Sequence, residues 1–120
     1  MKIRIKQRTS ANDLYNVYTI TEKLIQYKDG FYLTEGIYDL AYNENCFSVL
    51  DMICRHKRNF EVEIWEFKRD IQNLFILTGK NKPGYEFVKI SKLESDFYFD
   101  DFTLLKKGKL LCLPIEENMY

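Results

Sequence analysis

Catalytic raw material is scarce in this chain. Its 120 residues include 1 His, 5 Gly and 2 Pro, and 18 basic side chains cancel 18 acidic ones to a formal net charge of +0. A cysteine nucleophile would have only His56 as a base. Cys54 lies two positions before it, about 200° round a helix, and Cys46 lies about three turns away. Cys112 can meet His56 only through the fold. The glycines at 30, 36, 79, 84 and 108 are isolated, so neither GxGxxG nor GxxxxGKS/T occurs and no phosphate-binding loop is present. No CxxC, HxxxH or HExxH spacing is found. The stretch ESDFYFDD offers Glu94, Asp96, Asp100 and Asp101 but lacks the glycine and spacing of a calcium loop. Balanced charge argues against a global basic field for nucleic acid. The expectation is a chain without catalytic residues, metal or cofactor, and not an enzyme.

Cysteine and long apolar runs are also in short supply. The 3 cysteines are odd in number and sit in apolar runs, which suits buried, reduced thiols better than a disulfide framework. Charges separate Ile3 from Ile5, so no signal peptide opens the chain. No apolar run approaches the roughly 20 residues that span a bilayer. A soluble, cytoplasmic protein without membrane contact is expected.

What the chain has is aromatic content, 16% of its residues within a hydrophobic total of 46%. That composition belongs to a folded domain, and the length suits one, spanning 1–120. KIRIKQR alternates at the strand period and predicts an N-terminal edge strand at 2–8, with Lys2, Arg4, Lys6 and Arg8 on one face. TITEKLIQYKDGFYL leaves helix and strand open, with KDG as a turn. Thr34 can cap a short helix carrying Ile37, Leu40 and Ala41 on one side. A second helix follows over 46–57, from the spacing of Cys46, Phe47, Val49, Leu50, Ile53 and Cys54.

After Asn59 the period becomes two. Strands are predicted at 60–68, 73–78, 85–90, 102–106 and 109–113, with turns in KRDIQN, GKNKPG and near Gly108. Such short turns make neighbours antiparallel. The fold class expected is α+β: two short helices packed on a curled antiparallel sheet of about four to six strands. FEVEIWEF breaks its own alternation, because Trp65 arrives one residue after Ile64. The slip predicts a bulge near Ile64–Trp65 that returns Trp65 to the core. The alternative is Trp65 on the outer face, covered by the N-terminal segment or by a partner.

LTEGIYDLA, FSVLDMIC, FEVEIWEF and FYFDDFTLLKKGKLLCLPIEENMY follow one another in an order that resembles a small bacterial domain family of unknown function. That family carries Y-T-D-G-V-x-Y-L-A, a helix ending L-D-x-I-A, F-x-V-W-x-L, and F-P-L-x-E-I-x-L-Y before L-L-L-P-S-E-Y. The resemblance spans about residues 18–120, with Trp65 at the family tryptophan and Leu111 to Pro114 at the L-L-L-P close. It implies the domain plan and no activity. It also implies cargo of a mobile element, hence a phage or plasmid accessory protein.

Two surfaces stand out as contact candidates. Read as a strand, residues 97–102 point Tyr98 and Asp100 outward, with Asp101 beside them. Tyrosine and carboxylates together suit a basic protein surface. The N-terminal strip Lys2, Arg4, Lys6 and Arg8 could contact successive phosphates, although cations on an edge strand also discourage edge-to-edge pairing. The expectation is a non-enzymatic binding module with a protein or nucleoprotein partner, as monomer or homodimer, contacting through Tyr98, Asp100, Asp101 and Trp65. Its concrete form is a phage-type inhibitor of a host defence protein such as a CRISPR effector. The alternatives are an RNA- or DNA-binding protein using the basic strip and a small hydrolase or nuclease built on scattered carboxylates or on Cys112 with His56.

Overall fold

The computed structural model describes residues 10–12, 23–56 and 60–119, with side chains up to Glu117. The predicted edge strand at 2–8 lies outside these residues. Strand β1 (Leu24–Gln26) passes through a 3-10 turn (Lys28–Gly30) into β2 (Tyr32–Thr34). Helices α1 (Glu35–Asn43) and α2 (Phe47–Arg55) come next. Then follow β3 (Val62–Arg69), β4 (Phe75–Asn81), β5 (Glu86–Leu93), β6 (Asp101–Lys107), β7 (Leu110–Cys112) and a closing 3-10 helix (Pro114–Met119). None of the described helices is long and apolar enough to cross a membrane.

Local chemistry explains the helix boundaries. The Thr34 hydroxyl accepts from the Ile37 amide at 3.3 Å, which caps α1 as its sequence predicts. The same hydroxyl donates to Glu116 Oε1 at 2.8 Å, and Glu116 also accepts from the Leu113 amide at 2.9 Å. The buried carboxylate of Glu116 thus ties the chain's C-terminal turn to the start of α1. At the other end of α1, Asn45 takes a positive φ of 54° while the Cys46 amide returns to Ala41 O. Asparagine tolerates this left-handed geometry better than most residues. In α2, Val49, Leu50 and Ile53 are buried. Tyr27 Oη donates to Asp51 Oδ1 at 2.6 Å and Lys28 Nζ lies 3.0 Å from Oδ2, which fastens the β1–β2 turn to α2.

Seven strands form one sheet in the order β1-β2-β7-β6-β3-β4-β5. The α+β expectation holds, while the strand count and the purely antiparallel sheet need correction. The additional strands β1 and β2 have 3 residues each, too few to display a period. Strands β2 and β7 pair in parallel, Tyr32 with Leu110 and Leu33 with Leu111. Both helices and four strands separate that pair in sequence, so no tight turn constrains its direction.

The bulge predicted at Ile64–Trp65 is absent. Strand β3 runs in unbroken register from Val62 to Lys68 against β6 and from Glu63 to Arg69 against β4. Its core face is Glu63, Trp65 and Phe67, with Val62 and Ile64 half-buried on the other side. The apparent slip therefore arises because a glutamate occupies a core position. Register shifts occur instead between β4 and β5, at Phe75/Leu77 and Gly79/Lys80.

Aromatic rings fill this face. Phe67 stacks on Phe75 at 4.4 Å and lies 5.5 Å from Phe102, while Phe97 meets all three edge-on at 5.3–5.8 Å. Burying each such ring contributes about 1.5–3 kcal/mol. Beyond the reach of β7, Asn12 occupies the edge of β6. Its Oδ1 accepts from the Thr103 amide at 2.6 Å and its Nδ2 donates to Thr103 O at 2.9 Å. The Asn12 side chain thus makes the paired contacts of a strand backbone, beside the parallel bridge of Ser10 to Asp101.

Candidate functional site

Alternation along β3 carries Glu63 inward with Trp65, and register sets Lys106 of β6 directly opposite it. Their side chains are 1% and 4% exposed, with Lys106 Nζ 3.5 Å from Glu63 Oε2. A buried carboxylate needs hydrogen bonds as well as a counter-ion. Glu63 has both: Oε1 accepts from the Trp65 indole at 2.9 Å and Oε2 from the Phe60 amide at 2.8 Å. Trp65 meets the His56 ring edge-on at 5.7 Å and Phe87 at 5.6 Å. Gly79 pairs with Trp65 across the ladder, and a Cβ there would come within 3.0 Å of the Trp65 and Phe87 rings. Glycine thus makes room for the indole.

Next to this pair opens a cavity of about 360 Å³, bordered by Phe31, by Arg55 and His56 at the end of α2, and by Lys106 and Lys109 beside Gly108. Lys109 Nζ lies 4.4 Å and Lys106 Nζ 5.8 Å from the centre of the Phe31 ring. Cys54 borders the same cavity. Helical spacing keeps Cys54 and His56 apart, but α2 stops at Arg55 and His56 is extended at ψ 129°, which brings both to one wall. The thiol is not activated there. Burial chiefly, then Asp51 and Asp29, push Cys54 up to about 11 against the pull of Lys106 and Lys109. Burial likewise raises Cys46 to about 12, helped by Glu44, and Cys112 to about 12, helped by Glu116. A protonated thiol is a poor nucleophile. Among the described residues no three His, Cys, Asp or Glu side chains gather to hold a metal ion.

At the far end of β3 a single guanidinium joins two loops. Arg69 Nη1 donates to Asn73 Oδ1 at 2.8 Å in the β3–β4 turn. Its Nη2 reaches the carbonyls of Phe97, Tyr98 and Phe99 at 2.8, 3.2 and 3.0 Å. Nε lies 3.4 Å from Asp100 Oδ1, and the guanidinium covers the Phe75 ring at 4.6 Å. Asp70 braces the turn by accepting from the Gln72 and Leu74 amides. Below the second loop Phe97 is buried. Above the two loops, Ile71 is 102% and Tyr98 57% exposed.

The sequence-predicted residues are thereby dispersed. Tyr98 faces outward, Asp100 is turned to Arg69, and Asp101 is half-buried at the start of β6. Trp65 is buried on the Glu63 face, away from any surface. Lys2, Arg4, Lys6 and Arg8 lie outside the described residues. Sequence reasoning missed Arg69, Glu63 and Lys106. The parity of Glu63, Trp65 and Phe67 was the available signal for the glutamate, and nothing local marks a surface lysine from a buried one. Arg69 carries little signal, because among the described residues Asn73 and Phe75 are its only partners nearby in sequence, and the carbonyls and carboxylate it gathers lie 28–31 positions away.

The chain belongs to the family described as "Family of unknown function (DUF6876)", whose model matches residues 9–117. No curated protein and no solved structure matches it.

Proposed function

We propose that this member of a family of unknown function is a non-enzymatic binding module. It docks a protein partner on the end of the sheet formed by the β3–β4 turn and residues 94–101. The observation that carries this reading is Arg69. One side chain fixes two adjacent loops through carbonyl, amide and carboxylate contacts while Ile71 and Tyr98 stand exposed above them. Loops held in advance lose little entropy on docking, and exposed tyrosine offers a large rigid contact area. Asp70, Glu94, Asp96 and Asp101 surround these side chains in sequence, and no cation occurs between 94 and 101. The complementary partner surface is basic, with an apolar centre. Asp100 supports this surface from within, through its contact with Arg69.

An inhibitor of a host defence protein is one concrete form of this reading. The test is quantitative co-purification from cell extract using wild type, Tyr98→Ala, Ile71→Ser and the control Tyr42→Ala, whose site is exposed on α1. A partner held by this end weakens about thirtyfold or more when either central side chain is lost, as hot-spot residues do. Equal retention by all four proteins would contradict the proposal.

A further inference from the structure

The wall beside the Glu63–Lys106 pair has an unusual charge balance. Arg55, Lys106 and Lys109 border the cavity together with His56, and among the described residues its lining contains no carboxylate, the nearby Asp29 meeting Lys109 Nζ through its backbone carbonyl at 3.4 Å. Glu63, which pairs with Lys106, sits beneath it and already accepts from Trp65 and from the Phe60 amide. The buried Lys106 charge is largely answered by Glu63, so the cationic character of the cavity comes chiefly from Arg55 and Lys109, both exposed. Both lysines lie over the buried Phe31 ring, an apolar floor that props the exposed Lys109 ammonium at the opening. A neutral occupant would remove water from Arg55 and Lys109 and return nothing.

We propose that this cavity binds a small phosphate monoester of about nucleotide size. The phosphoryl group offers three strong acceptor oxygens and close to two negative charges at neutral pH. That matches cationic donors arriving from the end of α2 and from the β6–β7 turn. Arg55 supplies a planar fork and the lysines supply point charges. At about 360 Å³ the space exceeds a phosphoryl group and falls within the range of small-molecule sites, so the organic portion of the ligand enters as well. The Phe31 floor and the His56 ring provide surfaces for that portion.

Titration calorimetry on the full chain at constant ionic strength tests this, with adenosine 5′-monophosphate, adenosine, inorganic phosphate and succinate as probes. Saturable binding of the monophosphate, weaker binding of inorganic phosphate and none of adenosine is the expected pattern. Arg55→Gln and Lys109→Gln each weaken the monophosphate about tenfold, the loss expected for one hydrogen bond between charged groups. Both positions are exposed, so thermal midpoints should match wild type. Saturable binding that survives the double variant unchanged places the ligand elsewhere and overturns the site. Binding of adenosine or succinate as tight as that of the monophosphate overturns the ligand class, and absence of any saturable heat overturns both. The Tyr98 and Ile71 surface is untouched by these outcomes.

Discussion

Glu63 is the residue on which the centre of the sheet turns. Its carboxylate lies buried against Lys106 and satisfies two N–H groups, so removing either charge leaves the other stranded. Glu63→Ala should cost about 3–5 kcal/mol, the usual penalty for breaking a buried pair from one side. Urea unfolding followed by the emission of Trp65, the chain's only tryptophan, measures it. Glu63→Gln, which keeps an acceptor for the indole, should lose less. The thiols give a second prediction. Cys46 and Cys112 are pushed up to about 12 and Cys54 to about 11, mainly by burial. In the unfolded chain thiols titrate near 8.5, so above that pH the unfolded state gives up protons first. Their contribution is present in full below about pH 9 and declines as pH climbs towards 11–12. Urea midpoints should fall across that window, and Cys46→Ala should flatten the decline; a midpoint unchanged to pH 11 would contradict buried thiols.

At the scale of elements, Gly79 sets the geometry opposite the middle of β3 and Arg69 at its end. Gly79→Val inserts carbon where a Cβ already meets Phe87 and Trp65 at 2.9–3.0 Å. Overpacking of this kind costs about 1–3 kcal/mol, read as a lower urea midpoint together with changed Trp65 emission. Arg69→Met should raise hydrogen exchange at 97–100 and in the β3–β4 turn while leaving the β3–β6 ladder protected. Unchanged exchange in the loops would show that Arg69 does not fix them. Much of this layer was legible in advance. Thr34 announced α1, the period of two located β3 to β6 to within a few residues, and the hairpin near Gly108 placed β7. The pieces that escaped have physical reasons. Strands of 3 residues carry no period, a parallel partner across most of the chain leaves no local trace, and β3 hid its phase because a glutamate replaced an apolar residue on its core face. The two surfaces escaped for a similar reason: Arg69, Lys106 and Lys109 gain their roles from contacts distant in sequence.

At the scale of the whole molecule, two places among the described residues are proposed to bind. One is the cationic cavity beside α2, and the other is the loop end fixed by Arg69, where Ile71 and Tyr98 are exposed. A formal net charge of +0 gives neither place help from a global field, so selectivity must come from local complementarity. The two are independent in their tests, one read with small anions and the other with a protein. The most direct measurement places a photoreactive benzoylphenylalanine at position 98, at 71 or at 42 and irradiates each protein in cell extract. Adducts with the same protein from 98 and 71, and none from 42, are the outcome this account requires. A partner that co-purifies but forms its adduct from position 42, or from neither 98 nor 71, would contradict it.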